Sequence, residues 1–353
     1  MKRIIYVVPK LSRTGVTNVL VNLVLQLVDV CDIAVVAMRK LDETDSIEPQ
    51  LREAGINVIY LNNTHIGRQT LELKRVVKNF NPDIVHSMAF KSDVICFALS
   101  GKWPVVSTAH NVPMIDFSNV YGSKIGSLMV KVQTFLYRRF SKIVAVSNAV
   151  AADWRTRNVV ASVVHNGITD DNCGKYDIAR NDGVLRLVWT GRISKRKNLE
   201  TILKAVQGLE KVHLTVVGDG ILYQELKDKY AGINIDFIGR QEQVTPYLVQ
   251  ADCFISASHS EGLPMAAIEA MSHNLTMVLS DIPQHRELDI NQEESFWFFE
   301  ADDVRRLRAE LVAVKNSKAK SNVRQTFLEH FTSTVMAENY QKMYGEVVKE
   351  NLS

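Results

Sequence analysis

Several common protein classes are excluded by what this chain lacks. Its 353 residues hold four cysteines, Cys31, Cys96, Cys173 and Cys253, far apart and with no C-x-x-C pair. That rules out a disulfide framework or a zinc ribbon and leaves reduced cysteines, three of them in apolar surroundings. Charge of one sign is also scarce: 42 Lys and Arg against 39 Asp and Glu give a net charge of +3, with no arginine-rich arm to suit nucleic acid. No long hydrophobic run occurs. The longest apolar region, Val16 to Met38, is broken by Asn18, Asn22, Gln26, Asp29 and Asp32, too polar to span a bilayer. The opening M-K-R-I-I-Y-V-V-P-K has too short an apolar core for a signal peptide and reads as a first strand. A cytosolic protein is expected, free or resting on a membrane from that side. Neither H-E-x-x-H nor a D-x-D pair is present, so no metal is implied.

What is present is alternation. Short β-rich runs at Ile4–Val8, Ile33–Ala37, Val58–Leu61, Ile84–His86, Val105–Thr108 and Ile143–Val146 are separated by helix-like stretches such as Leu71–Phe80 and Val94–Leu99. The pattern resumes at Leu185–Trp189, His213–Val217, Ile235–Ile238, Cys253–Ser256 and Thr276–Leu279. Strand and helix in turn predict an α/β fold with parallel, doubly wound sheets. The length suits two domains of roughly 150–200 residues. The polar stretch from Thr169 to Gly183 reads as the linker.

The second half is organised around Ser258 to Met271, S-H-S-E-G-L-P-M-A-A-I-E-A-M. A buried strand should run into an Glu-Gly turn and then a helix, with Pro264 in its first turn. Gly262 lets backbone approach a ligand, and the free N–H groups at the helix start suit phosphate. Glu269 stands two turns in, on roughly the same face as that start. Upstream, Thr190 to Asn198 is a glycine turn carrying Arg192, Lys195, Arg196 and Lys197, with Asn198 placed to cap the next helix. Four cations at one loop-to-helix junction repel one another unless an anion is bound, which argues for diphosphate.

The first half offers His110, just past the strand at Val105–Thr108, and Gly15, which opens a helix after the polar loop that follows the first strand. Between Tyr121 and Lys142 a helix is expected to bury Ile125, Met129, Val132, Leu136 and Phe140. An adjacent stripe carries Lys124, Lys131, Arg138, Arg139 and Lys142 with Leu128 and Phe135 among them. Two readings stand: a solvated basic face, or contact with an anionic membrane surface or lipid-diphosphate acceptor.

E-G-L-P-M-A-A-I-E resembles the E-x7-E signature of the retaining nucleotide-sugar glycosyltransferases of family 4. G-R-I-S-K-R-K is similar to that family's G-R-x-x-x-x-K, V-S-T-A-H to its V-x-T-x-H, and V-H-N-G-I and V-G-D-G to further motifs, so the resemblance spans nearly the whole chain. It implies the GT-B fold, two Rossmann-like domains with a cleft between them. Residues 1–170, completed by a terminal helix at 334–353, would form the acceptor-side domain, and residues 171–333 the nucleotide-sugar domain. It further implies that Arg192 and Lys197 hold the donor's two phosphates beside the amides of Gly262, Leu263 and Met265. Glu261 would hold the sugar hydroxyls, Glu269 the ribose, and His110 the sugar from the other domain. The backbone after Gly239 would face the base, where Arg240 either stacks or stays a surface arginine. One departure is plain: the family's double glycine after the first strand is here Gly15 alone, so that loop is either a phosphate contact or an ordinary helix start.

The expected activity is retaining, metal-independent transfer of a hexose-type sugar from a nucleotide-diphospho-sugar, a UDP-sugar first. The acceptor would be a glycan or lipid-linked glycan in bacterial surface-polysaccharide synthesis. The nucleotide sugar is a co-substrate, and no further cofactor is implied. An epimerase of the same fold and a non-catalytic nucleotide-sugar-binding protein remain as alternatives.

Overall fold

The computed structural model describes residues 1–40, 45–171, 182–317 and 322–352. Residues 172–181 of the expected linker lie outside the described residues, and so does Cys173. The chain divides into two compact units, Met1–Thr169 with Thr332–Ser353, and Asp170–Phe331.

In the first unit seven strands form one sheet: β1 (Lys2–Val8), β2 (Cys31–Ala37), β3 (Asn57–Tyr60), β4 (Ile84–Ser87), β5 (Val105–Ala109), β6 (Lys142–Ala145) and β7 (Ser162–Val163). Their order is β3-β2-β1-β4-β5-β6-β7, every pair parallel. Ile4 to Val8 are completely buried, as a strand covered by helices on both faces must be. The helix Ser333–Leu352 completes this unit and brings two tyrosines into its interior. Tyr344 OH meets His86 Nδ1 at 2.6 Å and Tyr6 OH at 2.9 Å, and Tyr340 OH meets Thr108 Oγ1 at 2.9 Å. The helix enters past Gly167, where an added Cβ would sit 2.1 Å from the Thr332 carbonyl oxygen.

Six strands form the second sheet: β8 (Leu185–Thr190), β9 (Val212–Val217), β10 (Ile235–Gly239), β11 (Cys253–Ser256), β12 (Thr276–Ser280) and β13 (Phe296–Phe299). Their order is β10-β9-β8-β11-β12-β13, again all parallel. Strand order reverses between β8 and β11, and the loops leaving their carboxyl ends flank that reversal, the place where open α/β sheets bind ligands. Two such parallel sheets, one per unit, make the fold Rossmann-like twice over and of the GT-B class. The edge strand β13, F-W-F-F, has no counterpart among the strands expected from sequence; it pairs with β12 from Met277↔Phe296 to Ser280↔Phe299.

The stretch after β5 departs from expectation. Gly122, at φ +81°, breaks it into two helices, Pro113–Tyr121 and Ser123–Tyr137. The second buries Gly126, Val130, Gln133, Leu136 and Tyr137. Ile125 is 56% exposed and Val132 also lies outside, so of the five residues expected inside, Leu136 and Phe140 are buried and Met129 is only partly so. Polar bonding decides the face. Gln133 Nε2 donates to Asp93 Oδ2 at 3.1 Å and to Tyr137 OH at 2.9 Å, and Gly126 packs where a Cβ would come within 2.9 Å of Ser118 N.

Candidate functional site

The β8 loop is built on glycine. Gly191 (φ +148°) donates its N–H to Val217 O and Ile193 its N–H to Asp219 O, so the loop is stitched along the turn after β9. Gly218 must be glycine there: a Cβ would lie 1.9 Å from Gly191 O. The V-G-D-G turn therefore shapes the neighbouring loop. Arg192 projects from it, exposed and without a partner among the described residues.

The short 3-10 turn Lys195–Lys197 and Asn198 follow, Asn198 in the left-handed region at φ +48°. Asn198 does not cap the next helix through its side chain; its amide donates to Ala301 O at 2.8 Å and Asp302 Oδ1 at 3.0 Å. Arg196 and Lys197 both turn toward the β11 loop. Lys197 Nζ lies 2.6 Å from Glu261 Oε1 and Arg196 Nη1 lies 2.8 Å from Glu261 Oε2, while Arg196 Nη1 also donates to Ser260 O. His259 N–H closes the join by donating to Arg196 O at 2.9 Å. Glu261 is only 6% exposed. Burial alone would push its pKa up, but the adjoining charges of Lys197 and Arg196 bring it down to about 2.

Pro264 stands at the N-cap, one residue before the helix Met265–Ser272, and no side chain caps that helix. Ala267, Ile268, Ala270 and Met271 face the core, whereas Met265, Ala266 and Glu269 share the less buried side. The Glu269 carboxylate has no partner among the described residues. Burial pushes its pKa up to about 7, against the opposing pull of Lys197. The two glutamates of one motif thus stand in opposite states, one ionised and clamped, one close to half-protonated at neutral pH and unengaged.

Behind the loop, Ser280 Oγ donates to Ser258 O at 2.6 Å and lies 3.1 Å from His285 Nδ1. The helix Pro283–Arg286 has Ile282 at its N-cap, and Asp281 pairs with Arg286 at 2.7 Å. Arg240, exposed, follows Gly239 at the end of β10. Gly262 and Leu263 are buried within the β11 loop.

The remaining residues singled out from sequence belong to the first unit. Gly15 begins the helix Gly15–Leu27 behind a Thr14–Thr17 capping box that was not among the sequence expectations. Arg13 pairs with Asp45 at 3.3 Å. His110 follows β5 with a buried Nε2 that has no partner, and burial lowers its pKa to about 4, so it is neutral at pH 7. Lys124, Lys131, Arg138 and Arg139 are exposed, and Arg138 donates to Arg157 O at 2.9 Å. Lys142 leaves this stripe: it lies in β6 and pairs with Glu346 at 4.0 Å. Among the described residues no group of three or more His, Cys, Asp or Glu is placed to hold a metal ion.

The sequence alone assigns Arg196 no role of its own. The available signal was numerical, four cations in one loop beside a motif whose first glutamate precedes a buried turn.

A family model described as Glycosyl transferases group 1 matches residues 185–316, and one described as Glycosyltransferase Family 4 matches residues 13–172. The O-antigen biosynthesis glycosyltransferase WclY of Escherichia coli is 24% identical, covering 99% of this chain and all of its own length. A UDP-Gal:alpha-D-GlcNAc-diphosphoundecaprenol alpha-1,3-galactosyltransferase of Escherichia coli is 23% identical over 80% of each chain. Among solved structures, Anabaena HepE in complex with UDP-glucose superposes with a TM-score of 0.80 at 15% identity, covering 98% of this chain and 100% of that one.

Proposed function

We propose, from the premise that this chain is a glycosyltransferase of family 4 within the group 1 glycosyl transferases, that it transfers a hexose-type sugar with retention. The donor is a UDP-sugar and the acceptor a hydroxyl of a lipid-linked glycan in the assembly of a bacterial surface polysaccharide. One observation carries the reading: a clamped Glu261 and an unpartnered Glu269 flank the uncapped start of one helix, and the loop of the adjoining strand β8 carries the exposed cation Arg192. Such a site offers charge and N–H groups to a diphosphate and carboxylate oxygens to hydroxyls on either side of it.

In the reaction the anomeric C–O bond to the diphosphate breaks as the acceptor oxygen bonds to the anomeric carbon. The acceptor's proton leaves with the diphosphate oxygen. Arg192, Lys197 and the amides at Gly262, Leu263 and Met265 stabilise the departing charge, the task a divalent cation performs in other transferases. His110, neutral, hydrogen-bonds substrate. The named donor and lipid-diphosphate acceptor of the galactosyltransferase relative, the O-antigen role of WclY and the UDP-glucose bound to HepE support the choice of substrates.

The same reading places the helical hairpin Pro113–Tyr137 against an anionic membrane, where lipid-linked acceptors reside. Leu128 is 62% and Phe135 53% exposed, Ile115, Val120, Ile125 and Val132 are exposed as well, and Lys124, Lys131 and Arg139 stand among them. Apolar groups with interspersed cations suit a lipid surface through both terms at once. Among the described residues no helix is long and apolar enough to cross a membrane.

The test is incubation with UDP-glucose, UDP-galactose, their N-acetylated forms and GDP-mannose, with and without a polyprenyl-diphosphate-linked sugar. Transfer with retained anomeric configuration, read by NMR, is expected for one UDP-sugar. An epimerised nucleotide sugar, or binding without turnover, would replace this function with another.

A further inference from the structure

We infer that Arg196 is a positioning residue that holds Glu261 in place while Lys197 is drawn to the donor's diphosphate; this rests on the reading of Glu261 as the group that accepts the sugar hydroxyls. Lys197 has been given two partners that compete. It is bonded to Glu261 Oε1 at 2.6 Å, and the bound donor requires its charge at a phosphate. An ammonium has three N–H donors on a flexible stem, so it can turn toward phosphate, but its hold on the carboxylate then weakens. A carboxylate with 6% exposure and no other cation would be left poorly compensated at the moment it must orient the sugar.

Arg196 removes that conflict. Its Nη1 uses one hydrogen on Glu261 Oε2, at 2.8 Å, and the other on the Ser260 carbonyl, so it fixes the carboxylate and the backbone just before it together. Its own carbonyl accepts from His259 N–H at 2.9 Å, and His259 is held in turn by Asp302 at 2.9 Å. A planar guanidinium whose Nη1 bridges a carboxylate and a backbone carbonyl, on a residue whose own backbone is pinned, keeps its direction when its neighbour moves. Glu261 Oε1 is then free, as Lys197 turns, to accept from a sugar hydroxyl without the carboxylate rotating. Arg196 is thereby assigned to the sugar half of the donor and not to its phosphates, although it stands between Lys195 and Lys197 in a loop of cations.

The assignment separates two affinities that a phosphate contact would move together. Kd is measured by calorimetry for UDP-glucose and for UDP, or for UDP-galactose and UDP where the donor panel favours galactose, with wild type, Arg196→Met, Arg196→Lys and Glu261→Gln. Arg196→Met should bind UDP within about twofold of wild type yet lose roughly tenfold or more in preference for the sugar nucleotide over UDP, the loss of one charged hydrogen-bond network. kcat should fall with it, and Arg196→Lys should recover part of both. Equal weakening of UDP and UDP-sugar by Arg196→Met would make Arg196 a phosphate ligand and overturn the inference. Glu261→Gln distinguishes the underlying reading: if it leaves the preference for sugar nucleotide unchanged, Glu261 does not hold the sugar. If Glu261→Gln abolishes the preference while Arg196→Met leaves it intact, only the role of Arg196 fails. Thermal melting of each variant confirms that the folded fraction is the same in every titration; should Arg196→Met melt below the assay temperature, Arg196→Lys alone carries the comparison.

Discussion

Lys197 Nζ lies 2.6 Å from Glu261 Oε1, so a cation that the β8 loop offers to an anion is held by a buried carboxylate of the β11 loop. The pair joins the two strands between which the sheet order reverses, and it couples the phosphate end of the proposed donor site to the sugar end. In the proposed function, binding of a diphosphate would exchange partners at Lys197, whereas Arg192 is exposed and unengaged from the outset.

That difference separates two alanine variants. Arg192→Ala should lower kcat/KM by ~2–4 kcal/mol of transition-state stabilisation while its thermal midpoint stays at the wild-type value. Lys197→Ala should show a loss of the same order and, in addition, a drop in stability of ~1–3 kcal/mol, because Glu261 keeps only one of its two cations. Steady-state kinetics with calorimetry checks both. Wild-type rates at limiting donor in both variants would remove the diphosphate assignment.

The proposed assignment of Glu269 to the ribose predicts a pH dependence of donor binding. Since the Glu269 pKa is about 7 in the unliganded protein, ribose hydroxyls donating to the ionised carboxylate would be better held as pH rises. A nucleotide sugar, whose diphosphate does not titrate in this range, should bind up to about tenfold more tightly at pH 8 than at pH 6, and Glu269→Gln should flatten the profile. The stability effect has the opposite sign. A folded-state pKa above the unfolded value stabilises the fold at low pH, and that contribution is lost as pH rises through 7. The melting temperature of Glu269→Gln should therefore gain on wild type between pH 6 and pH 8 in the absence of donor.

Activity is expected to survive EDTA, since cationic side chains and helix amides carry the leaving-group charge in the proposed site. Complete loss on chelation, restored by Mg²⁺ or Mn²⁺, would assign that task to a metal.

Vesicle co-sedimentation tests the hairpin Pro113–Tyr137. The protein should pellet with anionic vesicles at low salt and be released at high salt, and Lys124→Glu, Lys131→Glu and Arg139→Glu together should abolish pelleting. Arg138 is left in place because it donates to Arg157 O within the fold. The triple variant should bind UDP-sugar as wild type does. Equal pelleting by variant and wild type would return these residues to a solvated face.

Much of this arrangement was legible from residue order because parallel strands buried on both faces are continuous β-rich runs. I-I-Y-V-V and C-F-I-S stand out between polar loops, and their motifs follow at the carboxyl ends. The hairpin was not legible. Its apolar residues lie on every side of the helix, so periodicity alone does not single out one face, and hydrogen bonds of Gln133 to Asp93 and Tyr137 turn inward a different face from the one expected. β13 was hidden for a different reason: four aromatic residues between acidic neighbours show no alternation, and only pairing with β12 makes them a strand. Arg196 was visible as a charge, but its bond to Glu261 spans 65 positions and no local pattern contains it.

The placement of Tyr340 and Tyr344 bears on the order in which the molecule is made. When the ribosome has released the first 169 residues, Tyr6, His86 and Thr108 line an interior whose hydroxyl partners are not yet synthesised. The segment from Asp170 to Phe331 is continuous and already contains its whole sheet, so it can reach its native state while the earlier portion waits. The portion made first therefore cannot be finished until the helix made last is in place.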